Sequence, residues 1–305
     1  MEKKTFSRIG WTFVLYSVAG GMVITLLALS IDMGTARGYN TYIFTSQTLY
    51  YAIILGIVVL MLKNLPRVPE TTKQRMFFSD FVIFFVISFS FLYLGAFIGG
   101  MATQGLADLV DGMPVNPVET VIDSVPLWLT VFLNLILAPV FEELIFRKYI
   151  LDTLRPFGDK TACLLCGFLF GIFHMNLDQF FYAFFLGTLF SYIVLRTGNV
   201  IYTMALHSLI NLFGSLIIPE LYGYFEKAGN NAEYVIDDVI WIIVAAGLVL
   251  FAVKCRKMIF DPPYFSFSRK IDFSTIFING GFIAMLILFV AEAILTVKPS
   301  WLNLY

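Results

Sequence analysis

The sequence predicts an all-α fold, a polytopic membrane helix bundle of about eight to nine transmembrane helices. Three observations carry that expectation. The chain of 305 residues is 59% hydrophobic and only 13% charged, where a soluble domain is nearer a quarter charged. Its apolar runs reach the length of about 20 residues that a bilayer crossing requires. The segments between those runs alternate between basic and acidic along the chain.

Nine candidate spans follow in order, near 9–31, 46–62, 80–100, 126–150, 161–176, 178–196, 199–218, 236–253 and 276–297. The first follows the basic start MEKKTFSR and is too long for the apolar region of a signal peptide. The run at 46–62 is short, and 161–176 and 178–196 are separated by almost nothing, so these three are the least regular. The segments 63–75, 147–160 and 254–270 are basic, 108–124 is wholly acidic, and 219–238 is mostly acidic. Under the positive-inside rule this places the N-terminus in the cytoplasm, and nine spans then place the C-terminus outside. Residues 1–305 read as a single integral membrane domain, without repeats, low-complexity tracts or a soluble module.

Composition also excludes several function classes. A net charge of −1 argues against nucleic acid or another polyanion as partner. Three cysteines (Cys163, Cys166, Cys255) make no disulfide framework, and Cys163 and Cys166, in an apolar helix, read as small packing residues. The partners that remain are the lipid bilayer and a peptide or protein substrate at the membrane. Nothing in the chain fixes an oligomeric state.

Ionisable side chains inside spans are costly, about 2.5–3.5 kcal/mol each at mid-bilayer, and their default reading is functional. Here they concentrate on three spans: Glu142, Glu143 and Arg147, then His174, then His207 with Asn211. The chain has only two histidines, and both are in this set. Glu143 and Arg147 stand four apart, so they can pair on one helix face. Glu142 points about 100° away and is left free by that pair. Pro139 has no amide proton, so the carbonyl of Leu135 loses its helical partner. Gly167, Gly171 and His174 share one face, which places His174 at a close helix contact, and His207, Asn211 and Gly214 repeat the pattern. Asn134, Gln179 and Ser191 read as polar packing between helices, and Lys148 and Arg155 as cytoplasmic topology signals. The depths agree only if the fourth helix continues to about Leu154, which sets Glu142 roughly 18 Å from its end.

This inventory suits hydrolysis of a peptide bond, which needs a water, a base to activate it and donors for the developing oxyanion. Glu142, His174, His207 and Asn211 can supply all of these. The same Glu142, His174 and His207 could instead bind zinc, although an H-E-x-x-H motif is absent. A catalytically silent immunity or scaffold protein of the same fold is the alternative to an enzyme. A proton-coupled transporter would be favoured by internal symmetry, and none is found in the sequence.

The segments EELIFR (Glu142–Arg147), FGIFH (Phe170–His174) and HSLIN (His207–Asn211) resemble, in order and spacing, the motifs of the CPBP family of intramembrane proteases. That family, also called Abi, joins CAAX prenyl proteases with bacteriocin-processing and immunity proteins. The resemblance covers residues 126–218, a four-helix catalytic core. It implies a glutamic-type intramembrane endopeptidase without a cofactor, although the family was first described as metalloproteases. It further implies Glu142 as the base, His174 as the group that positions water, and His207 with Asn211 as oxyanion donors. Glu143 and Arg147 would be supporting. A multi-pass protein of a prokaryotic cell membrane fits this reading, with a membrane-associated or C-terminal peptide as substrate.

Overall fold

The computed structural model describes residues 2–68, 75–114, 124–228, 232–260 and 272–298, without the side chains of 228, 232–233 and 255–260. Among the described residues the chain is helical throughout. We number the helices α1 (Glu2–Ser30), α2 (Ala36–Leu62), α3 (Phe78–Val110), α4 (Leu127–Phe157), α5 (Asp159–Phe173), α6 (Leu177–Thr197), α7 (Ile201–Lys227), α8 (Ala232–Phe260), α9 (Phe273–Phe277) and α10 (Gly280–Thr296). Seven of them, α1 to α4 and α6 to α8, are long and apolar enough to cross a bilayer. The chain is a multi-pass integral membrane protein with a helical bundle fold.

Each expected span has a helix, but two fall short of a crossing length. The 15 residues of α5 rise only about 22 Å, and α10 has 17 residues. The cause at α5 is local. Met175 adopts a left-handed backbone (φ 56°), which ends the helix directly after His174. Asn176 then caps α6 by accepting from the amide of Gln179 at 2.9 Å and donates back to the carbonyl of His174 at 2.7 Å. The two helices thus form a hairpin with His174 at its turn. Conversely, α2 begins ten residues before the expected 46, at Ala36, with Thr35 capping the amide of Gly38. Its polar start, ARGYNTY, concealed that turn from a hydropathy reading. The acidic stretch 115–123, the basic stretch 261–271 and the C-terminus at 299–305 lie outside the described residues.

Packing follows the small residues. α5 lies on α6, α6 on α3, and α3 on α8, while α1 bridges α2 and α10. A methyl group added at Gly167 would stand 2.7 Å from the carbonyl oxygen of Phe184, and one at Gly171 would stand 2.8 Å from that of Phe180. The two backbones therefore touch where the glycine spacing placed a helix contact. Cys163 and Cys166 are buried in the same layer. Arg155, expected as a cytoplasmic topology signal, is instead buried. It stands 3.9 Å from Asp152 and 3.8 Å from Asp159, because α4 turns into α5 there and folds both carboxylates onto it. Lys148 is exposed, as a topology signal would be.

The central helix α4 is continuous from Leu127 to Phe157, so Glu142 is carried to the depth the hairpin turn requires. It is not uniform. Wider π-helical turns occupy Phe132–Leu137 and Leu144–Ile150, on either side of the two glutamates. Substituting Gly171 by Leu should force α5 from α6 at a cost of about 1–3 kcal/mol, read as a lower midpoint of thermal unfolding in detergent, with Gly223→Leu, where no neighbour lies within 4 Å, as the unaffected control.

Candidate active site

The site is built from α2, α4, the α5–α6 hairpin and α7. On α4, Glu143 and Arg147 form the expected pair, Nε to Oε2 at 3.1 Å, with both side chains completely buried. A buried guanidinium needs more than one partner. That of Arg147 also lies over the ring of Phe170 at 4.5 Å and within 5.5 Å of that of Phe190, cation–π contacts that strengthen when desolvated. The second oxygen of Glu143 faces α7, where Nδ1 of His207 approaches Oε1 to 3.1 Å. Glu143 therefore does more than anchor its own helix. It orients a histidine from another one.

Glu142 is buried and turns away from that pair, as the helical offset requires. Its Oε1 accepts a 2.6 Å hydrogen bond from the hydroxyl of Tyr51 on α2. Its Oε2 lies 3.8 Å from Nε2 of His207 and has no hydrogen-bond partner. One oxygen is held and the other is left for a further group. The imidazole of His174 is fixed by its own helix. Nδ1 stands 2.8 Å from the carbonyl of Phe170. A carbonyl can only accept, so Nδ1 carries the proton, and Nε2 of a neutral ring is left as an acceptor.

Pro139 has the consequence its chemistry demands. It removes the amide that would serve the carbonyl of Leu135 in an α-helical turn, or that of Asn134 in a π turn. Both carbonyls are satisfied from α7: Ser208 Oγ donates to Leu135 at 2.8 Å, and Asn211 Nδ2 donates to Asn134 at 2.8 Å. Backbone irregularity at membrane depth is tolerated where neighbouring side chains answer it. Here that answer also clamps α7 to α4 in a defined register. Asn211 retains its second amide proton.

These elements enclose a cavity of about 400 Å³. Glu142, His174, His207 and Asn211 all line it, while Glu143 and Arg147 stand behind it. Two further residues carry no sequence signal of their role: Tyr51, a lone tyrosine on a distant span, and Ser208, an ordinary hydroxyl inside HSLIN. Asn134 and Gln179, expected as polar packing between helices, both line the cavity. Ser191, expected to bond between helices, donates instead within its own, to the carbonyl of Gly187 at 2.7 Å. Gln179 is held by Asn176 and donates to Tyr182, each at 2.7 Å. Among the described residues no group of three His, Cys, Asp or Glu side chains is placed to hold a metal ion.

The motif-bearing helices can now be compared with known proteins. Residues 124–213 match the Rce1-like family, described as type II CAAX prenyl endopeptidase Rce1-like. The matched segment runs from just before α4 to Phe213, midway along α7, and contains all three motifs, in agreement with the CPBP resemblance. The chain is 25% identical over 251 residues to a Bacillus subtilis (strain 168) protein named "Putative membrane peptidase YdiL", covering 75% of this chain and 97% of that protein. It is 22% identical over 179 residues to UPF0177 protein YxdF of Lactococcus lactis subsp. lactis (strain IL1403), covering 57% of this chain and 97% of that protein. No solved structure matches the chain. Tyr51 lies outside the matched segment, on a helix that the family comparison does not reach.

Truncating Arg147 to Ala should leave Glu143 buried without its cation, a loss of about 3–5 kcal/mol, seen as a collapse of the folded yield after detergent extraction. Ser208→Ala should cost less, about 1 kcal/mol, and should lower the unfolding midpoint without loss of expression.

Proposed function

We propose that the protein is an intramembrane endopeptidase that hydrolyses a peptide bond with a glutamate-activated water. The observation that carries this reading is the convergence of Glu142, His174, His207 and Asn211 from three separate helical segments on one cavity. Asn211 also answers the open carbonyl of Asn134, but the Pro139 defect does not account for a buried carboxylate and two imidazoles beside it. The match to an endopeptidase family over the same residues supports it.

In this reading a water enters between Glu142 Oε2 and His174 Nε2. Oε2 is the oxygen Tyr51 leaves unoccupied, and it takes the water's proton as the nucleophile forms. His174, with its Nδ1 proton committed to Phe170, accepts from the other hydrogen and aims the attacking lone pair. The carbonyl oxygen of the substrate then gains charge. Asn211 offers its second amide proton and His207 its Nε2 proton to that oxygen. His207 already commits Nδ1 to Glu143, so the donating form is the imidazolium. Glu143 is its counterion, itself balanced by Arg147. Collapse of the tetrahedral species passes the proton from Glu142 to the leaving amine, and the carboxylate is restored. Water supplies OH to the acyl fragment and H to the amine, so the step balances without a cofactor.

The basic segments support a cytoplasmic N-terminus and α4–α5 corner under the positive-inside rule, and the bacterial relatives support a prokaryotic cell membrane. Purified protein should cleave a peptide substrate, and Glu142→Gln should lose about 10²–10⁴-fold in kcat while its thermal unfolding stays near that of the unaltered chain. Undiminished turnover in Glu142→Gln would sink the mechanism. Tyr51→Phe should lower kcat by about tenfold with little change in KM, because it frees the base to rotate while the ring that lines the cavity stays in place.

A further inference from the structure

On α6 the cavity wall is a stripe at four-residue spacing, Tyr182, Leu186 and Phe190, so one face of that helix is turned to it. Tyr182 is the polar member of the stripe. It stands at the His174 end, with the two ring centroids 6.2 Å apart. Its backbone is held from behind: a methyl group added at Gly95 on α3 would collide with the backbone of Tyr182, so the two helices touch there.

The direction of the Tyr182 hydroxyl proton follows from a chain of hydrogen bonds that the backbone fixes at its far end. The amide of Gln179 donates to Asn176 Oδ1 at 2.9 Å, so Nδ2 of Asn176 faces the other way. Nδ2 donates to the carbonyl of His174 and to Gln179 Oε1, each at 2.7 Å. Gln179 therefore presents Nε2 to Tyr182, whose oxygen accepts at 2.7 Å. A hydroxyl that accepts from an amide sends its own proton elsewhere. Among the described residues no group accepts that proton, and the residue lines the cavity.

In the peptidase reading the water gives its hydrogens to Glu142 and His174. A donor aimed at its oxygen would tie up a lone pair needed for attack. The oxyanion is met from α7 by Asn211 and His207. The neighbouring carbonyls of the peptide lose water on entering the cavity and must be answered there. Resting on that reading, we propose that Tyr182 is a substrate-binding residue, whose hydroxyl donates a hydrogen bond to a backbone carbonyl of the peptide close to the scissile bond. The 6.2 Å between the Tyr182 and His174 rings, against about 3.3 Å per extended residue, puts that carbonyl within about two residues of the one attacked. The bond is made alike in the ground state and the transition state, so its loss raises KM and spares kcat.

The test uses the full chain in lipid vesicles and a peptide that it cleaves, chosen from a mixed-sequence library, with Glu142→Gln vesicles as the blank. In a series of analogues, each amide within three residues of the scissile bond is replaced in turn by a trans-alkene, which keeps the shape and removes the carbonyl oxygen. In the unaltered chain one of these replacements should raise KM about tenfold. Tyr182→Phe keeps the ring, and should raise KM for the parent peptide about tenfold with kcat within about twofold. In that variant the penalty for the one alkene should shrink below about twofold, while the other penalties stay as they were. Persistence of every penalty in Tyr182→Phe would overturn the proposal. So would an equal fall in kcat on all the peptides with KM unmoved, the signature of a residue that only braces Gln179 and the His174 turn. The unaltered chain can refute it alone, if no alkene raises KM, and in these three cases the peptidase reading stands. No cleavage of the library above the blank would overturn both.

Discussion

A guanidinium buried in the middle of a membrane protein is the constraint around which the rest is arranged. Arg147 is 1% exposed. Its burial is bearable because Glu143 meets its charge and two aromatic rings meet its faces. That pair would be a closed structural unit if Glu143 ended there. It does not, since its other oxygen reaches His207. The charge sequence Arg147, Glu143, His207, Glu142 therefore runs from the back of the core to the wall of the cavity. Through Glu143 the buried cation is linked to a histidine on another helix.

A second constraint is the missing amide of Pro139. Proline in a helix ordinarily leaves a defect. Here the two carbonyls it leaves open are answered by Ser208 and Asn211, flanking His207 by one and four residues. The same two bonds fix how far α7 slides along α4, and so fix the 3.1 Å approach of His207 to Glu143. The helix defect and the geometry of the site are one arrangement.

Much of this was legible from residue chemistry, and the limits are physical. The Glu143–Arg147 pair follows from a four-residue spacing on one helix, and the open carbonyl of Leu135 from the covalent structure of proline. The close approach at Gly167 and Gly171 follows from the absence of side chains. All are local, and local rules suffice for them. Tyr51 was not legible, because nothing on α2 indicates which of its faces meets α4 across 91 residues of sequence. The link from Glu143 to His207 was hidden for the same reason. The helix ends at Phe173 and Ala36 were misjudged because hydropathy registers solvent preference. The left-handed turn at Met175 and the polar first turn of α2 are backbone events that it does not see. Arg155 looked like a loop base until the α4–α5 corner folded two carboxylates over it.

The π turns on either side of the glutamates have a consequence of phase. Each holds more residues per turn than the α-helix around it, so each shifts the angular position of everything beyond it. Between Phe132 and Ile150 the direction in which a side chain leaves α4 is set by how many residues these turns accommodate. Losing one residue from Phe132–Leu137 would swing Glu142 and Glu143 together by about 100° relative to the helix start. Glu142 would move off Tyr51, and Glu143 off His207. Replacing a single side chain there leaves that angle untouched. In this part of the chain the number of residues carries the geometry of the site as much as their identity does.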